Sequence, residues 1–243
     1  MRSGALRPAI VLTLAAAFGA AWCLVADPFV GGDPLLGFEL AAAVILGSWA
    51  VALIANLTRA QRLSRELQSR SSRRVISGIE VNVVPGAGKT ALALGVLRPQ
   101  IYVGDELLAV LSDDEQRAVV LHEDHHRSIW APVRAAAIEA WLPMVGQIDS
   151  VKHALTERLG DLELMADRHA LGRGCTRASL ASALLKAQPS AAGLSAVSYS
   201  VGRRVDALLN RGDGSKVQPR LPYEWLPVAV LVLIGFSCHM WAG

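Results

Sequence analysis

The chain has 243 residues, enough for one large domain or two small ones, and 52% of them are hydrophobic. That fraction is high for a soluble protein and indicates a membrane protein. The net charge is only +3 and the three cysteines are scattered, which argues against a nucleic-acid-binding protein, a disulfide framework and a cysteine-based metal site.

Three uncharged runs account for the apolar composition: Ala9–Ala26, Leu40–Thr58 and Trp225–Gly243. Each is close to the roughly 20 residues that a helix needs to cross a bilayer. The first run could be a signal peptide, but a second apolar run follows within about ten residues. We therefore expect residues 1–58 to form a transmembrane hairpin, with helices over about 9–26 and 36–58, and residues 225–243 to form a C-terminal transmembrane helix.

The distribution of charge predicts the orientation of this hairpin. The turn between its helices carries acids and no Lys or Arg, whereas six arginines follow the second helix: Arg59, Arg62, Arg65, Arg70, Arg73 and Arg74. By the positive-inside rule, the N-terminus and residues 59–224 are cytoplasmic. The prediction is a multi-pass protein of the cell membrane, whose arginines contact lipid headgroups of the bilayer rather than nucleic acid.

The first part of the cytoplasmic region is expected to contain a polar helix and a small sheet. The helix is predicted over Arg59–Arg74. The segment Val75–Val84 is rich in β-branched residues, which favours one strand. Ala91–Val103 has a turn at Gly95–Pro99 between two apolar segments, which predicts a hairpin or sheet, and a helical pattern follows at Asp105–Leu111.

One segment between these strands imitates a nucleotide-binding loop. Pro85–Thr90 (PGAGKT) resembles the end of a Walker A motif, but Val83 occupies the place of the required first glycine. A membrane-anchored ATPase would also need a second, acidic strand motif, which the sequence does not show. We therefore interpret this segment as a glycine-rich turn.

The next helix begins with a clear sequence pattern. Ser112 and Glu115 form a capping box, and we expect the helix to run from Asp113 to about Trp130. The apolar segment Ala118–Leu121 lies within it and indicates a buried helix.

This helix carries the residues with the clearest chemical meaning, the motif His-Glu-x-x-His at residues 122–126. Positions i and i+4 share a helix face, so His122 and His126 could bind one Zn²⁺ ion. Glu123 could then take a proton from a zinc-bound water. The motif predicts metal-assisted hydrolysis, most often of a peptide bond.

Two histidines do not complete a catalytic zinc site, which usually has three protein ligands and a water. Downstream, Glu163 and Asp167 stand at i and i+4 of a predicted helix and so share a face. Glu163 could complete a His₂Glu site, and Asp167 could accept the ring N–H of a ligating histidine. Both could also be solvated carboxylates of an amphipathic helix, and their spacing alone leaves this open.

Two other histidines have weaker claims on the site. His125 faces roughly the same side as His122, but only His126 keeps Glu123 in the usual relation to the metal. We expect His125 to contact a ligand or to be exposed. His169 could stabilise an oxyanion, although an ordinary packed or exposed histidine is the more frequent case.

Residues 129–148 are apolar but contain Arg134 and Glu139. They could form a fourth membrane helix, a re-entrant segment or a buried core helix. Charges deep in a bilayer are costly, so a helix packed at the membrane surface is favoured. The remaining predicted elements are helices at Ala154–Gly172, Ser179–Ala187 and Val201–Asn210, a loop at Gln188–Ser200 and a linker at Arg211–Pro222.

The motif residues resemble a known family. His122-Glu-x-x-His126 followed by Glu163-x-x-Ala166-Asp167, after a membrane hairpin, looks like the BlaR/MecR-type antirepressor membrane metallopeptidases. These are gluzincins related to the HtpX-like and CAAX prenyl endopeptidases. The likeness includes Gly95-x-x-x-Pro99-x-Ile101-x-Val103 and Arg203–Leu209, so it covers most of the chain after residue 58. The family's helix after the first motif is usually more apolar than residues 129–148.

The resemblance implies that His122, His126 and Glu163 are the zinc ligands, that Glu123 is the general base and that Asp167 orients a ligand. It also implies a protein substrate, in this family a cytoplasmic transcriptional repressor that is cleaved directly or through a cascade. Full receptors carry an extracellular penicillin-binding sensor after the last membrane helix. Because the sequence ends at Gly243, we expect that domain to be absent and a separate sensor protein to supply the stimulus.

The sequence thus predicts a mostly α integral membrane protein, with a helical zincin-like metalloprotease domain and a small β hairpin or sheet at residues 59–224, flanked by transmembrane helices. The predicted function is zinc-dependent peptide hydrolysis at the cytoplasmic face. The alternative is an inactive membrane signalling or scaffold protein with a structural zinc site, which the intact Glu123 disfavours. We further expect the strand around Gln100–Val103 to offer an edge to an extended substrate.

Overall fold

The computed structural model describes residues 34–146 and 148–187, with side chains from residue 43 onward, and in addition Arg204 and Leu208. The described protein is mostly helical with one small mixed sheet, as predicted. In chain order the elements are α1 (Pro34–Arg70), β1 (Ser72–Ile76), β2 (Ile79–Val84), β3 (Ala91–Leu94), β4 (Gln100–Gly104), α2 (Asp105–Val110), α3 (Asp113–Ser128), α4 (Ala131–Glu139), α5 (Leu142–Val145), α6 (Asp149–Gly172) and α7 (Arg177–Lys186).

Several predicted elements lie outside the described residues. These are the apolar runs Ala9–Ala26 and Trp225–Gly243, the loop Gln188–Ser200 and the linker Arg211–Pro222. Of the helix predicted at Val201–Asn210, Arg204 and Leu208 are described, and both are helical.

Helix α1 joins two segments that the sequence analysis kept apart. The helix expected over 36–58 and the polar helix expected over Arg59–Arg74 form one continuous helix that ends at Arg70. No proline or glycine separates them, so nothing interrupts the backbone hydrogen bonds. The hydroxyls of Ser69 and Ser71 donate to carbonyls of the last turn at 2.8 and 3.0 Å. A strand begins at Ser72, so the predicted helix end at Arg74 is wrong.

Among the described residues, one helical stretch is long and apolar enough to cross a membrane, Ala43–Arg70 of α1. Apolar side chains within it are exposed, including Val51 at 69% and Ile54 at 60%. The segment 129–148 contains the short helices α4 and α5, of nine and four residues, and each is too short to span a bilayer. A fourth membrane helix in that segment is therefore wrong, and its packing at a membrane surface stays a prediction.

Strands β1 and β2 form a hairpin where the sequence analysis expected a single strand over Val75–Val84. The chain reverses at Ser77 and Gly78, whose φ angles are 52° and 81°. Two successive positive φ angles define the type I′ turn that suits the twist of a two-residue hairpin. The single-strand prediction is wrong because the apolar alternation hid this Ser-Gly turn.

The four strands form a mixed sheet in the order β1-β2-β4-β3. Strands β3 and β4 are antiparallel, which confirms the hairpin predicted at Ala91–Val103, and β4 also pairs in parallel with β2. Strand β4 is thus an interior strand, and Gln100–Val103 cannot offer a free edge. The two edges of the sheet are β1 and β3.

The glycine-rich segment Pro85–Thr90 connects β2 to β3 as a turn, as predicted. The φ angles of Gly86 and Gly88 are 70° and 68°, which favours glycine at both positions. Gly104 lies directly against this turn: a Cβ atom there would be 1.9 Å from the Gly88 carbonyl oxygen. These glycines allow two backbone segments to meet at the end of the sheet.

The chain divides into two compact units. One contains Asn56–Ile138 and His153–Pro219, and its core lies on both sides of α3. On one side, Val120 packs with sheet residues such as Val81 and Ile101. On the other, Ala118 and Leu121 of α3 pack with Ala170, Leu180 and Leu208. Helix α3 is therefore held from two sides. The other unit contains Met1–Ala55, Glu139–Lys152 and Arg220–Gly243.

Candidate metal centre

The start of α3 is fixed by the predicted capping box. Ser112 Oγ accepts from the Glu115 N–H at 3.4 Å, and the Ser112 N–H donates to Glu115 Oε2 at 2.7 Å. The Glu115 carboxylate also accepts from Ser182 Oγ at 2.5 Å and from Lys186 Nζ at 2.7 and 2.8 Å. The hydrogen bond from Lys186, followed by that from Ser182, lowers the pKa of Glu115 to about 2. These contacts hold α3, which carries the motif, against α7.

The structure brings His122 and His126 of α3 together with Glu163 of α6. The Nε2 atoms of the two histidines are 3.1 Å apart. Glu163 Oε2 lies 3.4 Å from Nε2 of His122, and Glu163 Oε1 lies 3.3 Å from Nε2 of His126. Within the described residues, these three side chains are a group that could hold a metal ion.

The spacing of these atoms fits a tetrahedral metal site. Zinc binds histidine nitrogen and carboxylate oxygen at about 2.0–2.2 Å, so two ligand atoms of a tetrahedral site are about 3.3 Å apart. Here the two histidine Nε2 atoms are 3.1 Å apart, and each lies 3.3 or 3.4 Å from a different oxygen of Glu163. One ligand atom from each of the three residues lies within 4.8 Å of the others. Two imidazoles and one carboxylate are also the donor set of several catalytic zinc sites.

Asp167 occupies the position that the sequence analysis predicted. Its Oδ1 lies 3.0 Å from Nδ1 of His122, and both side chains are buried. A proton on Nδ1 leaves the lone pair of Nε2 directed at the other two candidate ligands. The corresponding Nδ1 atom of His126 is buried and has no hydrogen-bond partner among the described residues.

Arg204 is a residue of the site that the sequence analysis did not predict. Its buried guanidinium donates to Glu163 Oε2 from Nη1 at 2.8 Å. It also donates to Asp167 from Nε at 2.8 Å and from Nη2 at 2.6 Å. The Nη2 atom is 3.4 Å from each ring nitrogen of His122. Arg204 falls within Arg203–Leu209, a segment of the family resemblance to which no role had been given.

The surroundings keep both carboxylates ionised. Burial by itself raises the pKa of Asp167, but hydrogen bonds from Arg204 and His122 outweigh it and lower this pKa to about 2. Burial also raises the pKa of Glu163, but the charge of His126 and the hydrogen bonds from both histidines hold it well below its usual value. Both carboxylates are therefore available as anionic partners of cations at the site.

The surroundings of His122 favour its protonated form. Burial, followed by the charge of Arg204, lowers the pKa of His122, yet the hydrogen bonds to Asp167 and Glu163 raise it to about 9. The site thus stabilises a positive charge on this ring. A metal ion bound at Nε2 would replace the second ring proton, as is usual when histidine binds a metal.

Glu123 follows His122 directly on α3, and it is 8% exposed. Among the described residues, no hydrogen-bond donor contacts its carboxylate.

His125 and His169 lie together but outside the group of three. Their rings stack with centroids 4.8 Å apart and an interplanar angle of 27°. Burial, followed by the neighbouring charge of His169, lowers the pKa of His125 to about 4. This stacked arrangement ties α3 to α6, and a contact with a ligand or an oxyanion stays a prediction for either residue.

Comparisons with known proteins add no further information about the site. No protein-family model matches the chain, and no curated protein or solved structure shows significant similarity to it.

Proposed function

We propose that the protein is a membrane-anchored, zinc-dependent endopeptidase that hydrolyses peptide bonds of a protein substrate. The observation that carries this proposal is the convergence of His122, His126 and Glu163, with one ligand atom of each within 4.8 Å of the others. The buried Glu123 follows His122 on the same helix. The packing of α3, which carries the motif, against the small mixed sheet supports a zincin-like domain of the BlaR/MecR type.

The chemistry divides between the metal and the side chains. His122, His126 and Glu163 would hold a zinc ion, which would polarise the scissile carbonyl and lower the pKa of a water. Glu123 takes the proton of the attacking water and transfers it to the leaving amine. Asp167 holds the His122 ring in one orientation, and Arg204 holds Glu163 and Asp167.

The proposed location is the cytoplasmic face of the cell membrane. The stretch Ala43–Arg70 of α1 supports membrane anchoring, and the two further apolar runs in the sequence support a multi-pass topology. The arginines that follow Thr58 favour a cytoplasmic catalytic domain by the positive-inside rule.

Strand β3 is the proposed place for an extended substrate, in place of β4. The Thr90 carbonyl accepts from the Gly104 N–H at 2.8 Å, so the alternating pattern of antiparallel pairing directs Ala91 and Ala93 away from β4. Their backbone groups face the open edge, where a substrate could add as another strand. Strand β3 also packs directly against α3, which carries the motif.

The proposed biological role is regulatory cleavage of a protein such as a transcriptional repressor, in response to a separate sensor protein. The motif residues support this role through their resemblance to antirepressor peptidases. The alternative, an inactive scaffold with a structural zinc site, has no need for the buried Glu123 beside the ligands.

The test compares the full-length protein with Glu123→Gln in detergent, using β-casein as an unstructured substrate. We expect fragments from the wild-type protein that a zinc chelator suppresses, and no fragments from Glu123→Gln. Glu80→Gln is a matched control because Glu80 is an exposed strand residue paired with Arg73. Equal cleavage by wild type and Glu123→Gln, or no cleavage by either at equal zinc content, would contradict the proposal.

A further inference from the structure

The loop of the β3–β4 hairpin, Gly95–Pro99, presents an apolar and a basic side chain next to each other. Leu97 is 79% exposed, and Arg98 is also exposed. A single exposed leucine is ordinary on a protein surface, so exposure alone has no meaning here. The loop, however, lies near the end of the uncharged run of α1, and this position gives the exposure of Leu97 its meaning.

Two sets of hydrogen bonds fix that position. In the body of β4, the Tyr102 hydroxyl lies 2.9 Å from Ser64 Oγ and donates to the Ser64 carbonyl at 3.0 Å. In the loop, the Val96 N–H donates to Gln61 Oε1 at 3.1 Å. From the strand to the loop, the contacts on α1 thus move from Ser64 to Gln61. The hairpin loop points towards the apolar end of this helix.

Apolar packing also holds the β3–β4 hairpin against α1. Leu94 and Tyr102 of the hairpin pack with Ala60, Leu63 and Leu67 of α1. All of these residues belong to the same compact unit. The loop is therefore attached to α1 by side-chain packing as well as by hydrogen bonds.

The loop lies close to the end of the uncharged run. Gln61 is three residues beyond Thr58, the last residue of that run. Three residues of helix correspond to about 4.5 Å along the axis. The headgroup layer on each side of a bilayer is about 5–7 Å thick. If the run crosses the hydrocarbon, Leu97 and Arg98 are at the level of the lipid headgroups.

Three exposed arginines lie near this end of the uncharged run. Arg59 and Arg62 of α1 are exposed, like Arg98 in the loop. Within the described part of the chain, no carboxylate forms an ion pair with any of these three arginines. Unpaired arginines beside a membrane helix are the expected partners of anionic headgroups.

We propose that the hairpin loop docks on the anionic surface of the bilayer that α1 enters. Leu97 inserts at the boundary between headgroups and acyl chains, and Arg98 binds lipid phosphates. This inference rests on the membrane anchoring proposed above and adds a second attachment of the catalytic unit to the bilayer. It also places the loop end of β3 at the membrane surface.

The test uses the full chain with Cys23, Cys175 and Cys238 replaced by serine. An environment-sensitive NBD label is attached to Leu97→Cys or, as the control, to Leu185→Cys, since Leu185 is 71% exposed on α7. Both proteins are placed in nanodiscs of equal parts phosphatidylcholine and phosphatidylglycerol. We expect a blue-shifted Leu97 label that headgroup-level nitroxide lipids quench, and a Leu185 label that aqueous iodide quenches. Equal iodide quenching of the two labels overturns the proposal.

A second variant tests the lipid charge. Arg98→Glu, like nanodiscs of phosphatidylcholine alone, should reduce the quenching of the Leu97 label by nitroxide lipids. Unchanged quenching in both cases would contradict the binding of anionic lipid by Arg98. Zinc content and casein cleavage of Leu97→Asp in detergent report separately on the proposed peptidase. If the Leu97 label shows no docking while casein is still cleaved, the docking proposal fails and the peptidase proposal stands. If the label shows docking but casein is not cleaved, the peptidase proposal fails.

Discussion

Arg204 and Asp167 form a buried two-point ion pair, with Nε 2.8 Å from Oδ2 and Nη2 2.6 Å from Oδ1. The same guanidinium binds Glu163 at 2.8 Å. Glu163 and Asp167 are one helical turn apart on α6, where like charges repel each other. Arg204 offsets this repulsion and fixes both the third candidate ligand and the residue that orients His122.

Arg204→Lys tests whether the forked geometry of Arg204 matters. Lysine keeps the charge but cannot bind two carboxylates in one plane. We expect zinc affinity to fall about tenfold or more, the usual effect of losing a partner that orients metal ligands. The measurement is competition with a chelator of known affinity in detergent.

The matched control for this variant is Arg117→Lys. Arg117 donates to the Arg173 carbonyl at an exposed position outside the candidate site. Its replacement should leave zinc affinity unchanged. Wild-type affinity in Arg204→Lys would show that Arg204 does not position the ligands.

Arg204→Ala tests the charge itself. The substitution leaves the buried Asp167 and the partly buried Glu163 without their cation, and removing one partner costs about 3–5 kcal/mol in buried pairs. Bound zinc supplies positive charge to the same carboxylates. We therefore expect a larger fall in melting temperature for the chelator-treated protein than for the zinc-loaded one. An equal fall in both forms would contradict this electrostatic account.

Ala93→Pro tests strand addition by the substrate at β3. The Ala93 N–H faces the open edge, so proline there removes no hydrogen bond of the sheet. One lost main-chain hydrogen bond to the substrate corresponds to about 1 kcal/mol, or about a fivefold loss of casein cleavage. Zinc content should not change.

Two other proline variants provide the comparison. Leu92→Pro removes a hydrogen bond to β4, and Ile101→Pro disrupts an interior strand. Both should lower the melting temperature, unlike Ala93→Pro. Full cleavage by a well-folded Ala93→Pro protein would argue against β3 as the substrate edge.

Glu115→Gln tests the attachment of α3 to α7 through pH. The pKa of Glu115 is lowered from 4.5 to about 2, so its ionised form stabilises the fold above pH 4.5 and this contribution disappears as the pH falls towards 2. The Lys186 side chain is 39% exposed, so we expect a loss of only about 1 kcal/mol at neutral pH. The melting temperatures of wild type and Glu115→Gln should converge as the pH is lowered.

Glu80→Gln is the control for this pH dependence. The exposed pair of Glu80 with Arg73 should contribute little at any pH. A difference between wild type and Glu115→Gln that is constant down to pH 2 would contradict the role of the Glu115 charge.

The parts of the site that share one helix were predictable from the sequence. The capping box, the two histidines of the motif and the pair of carboxylates on α6 all follow from helical periodicity, and the structure places them as expected. A contact of Asp167 with one of the ligating histidines was also predicted, because such a histidine needs a partner for its second nitrogen, and the structure shows that this histidine is His122.

Features that depend on contacts between distant segments were not predictable in this way. Arg204 is 37 residues from Asp167, and no helical or strand periodicity links them. The interior position of β4 follows from its parallel pairing with β2, which the local pattern of Ala91–Val103 does not reveal. The turn at Ser77 and Gly78 was missed because β-branched residues flank it on both sides.

The proposed enzyme requires that His122, His126 and Glu163 bind one zinc ion. The most direct measurement is the zinc content of the purified full chain in detergent, together with that of Glu123→Gln and Glu163→Gln. We predict about one zinc per chain in wild type and Glu123→Gln, and much less in Glu163→Gln. A wild-type protein without zinc after incubation with excess zinc, or full zinc content in Glu163→Gln, would contradict the claim.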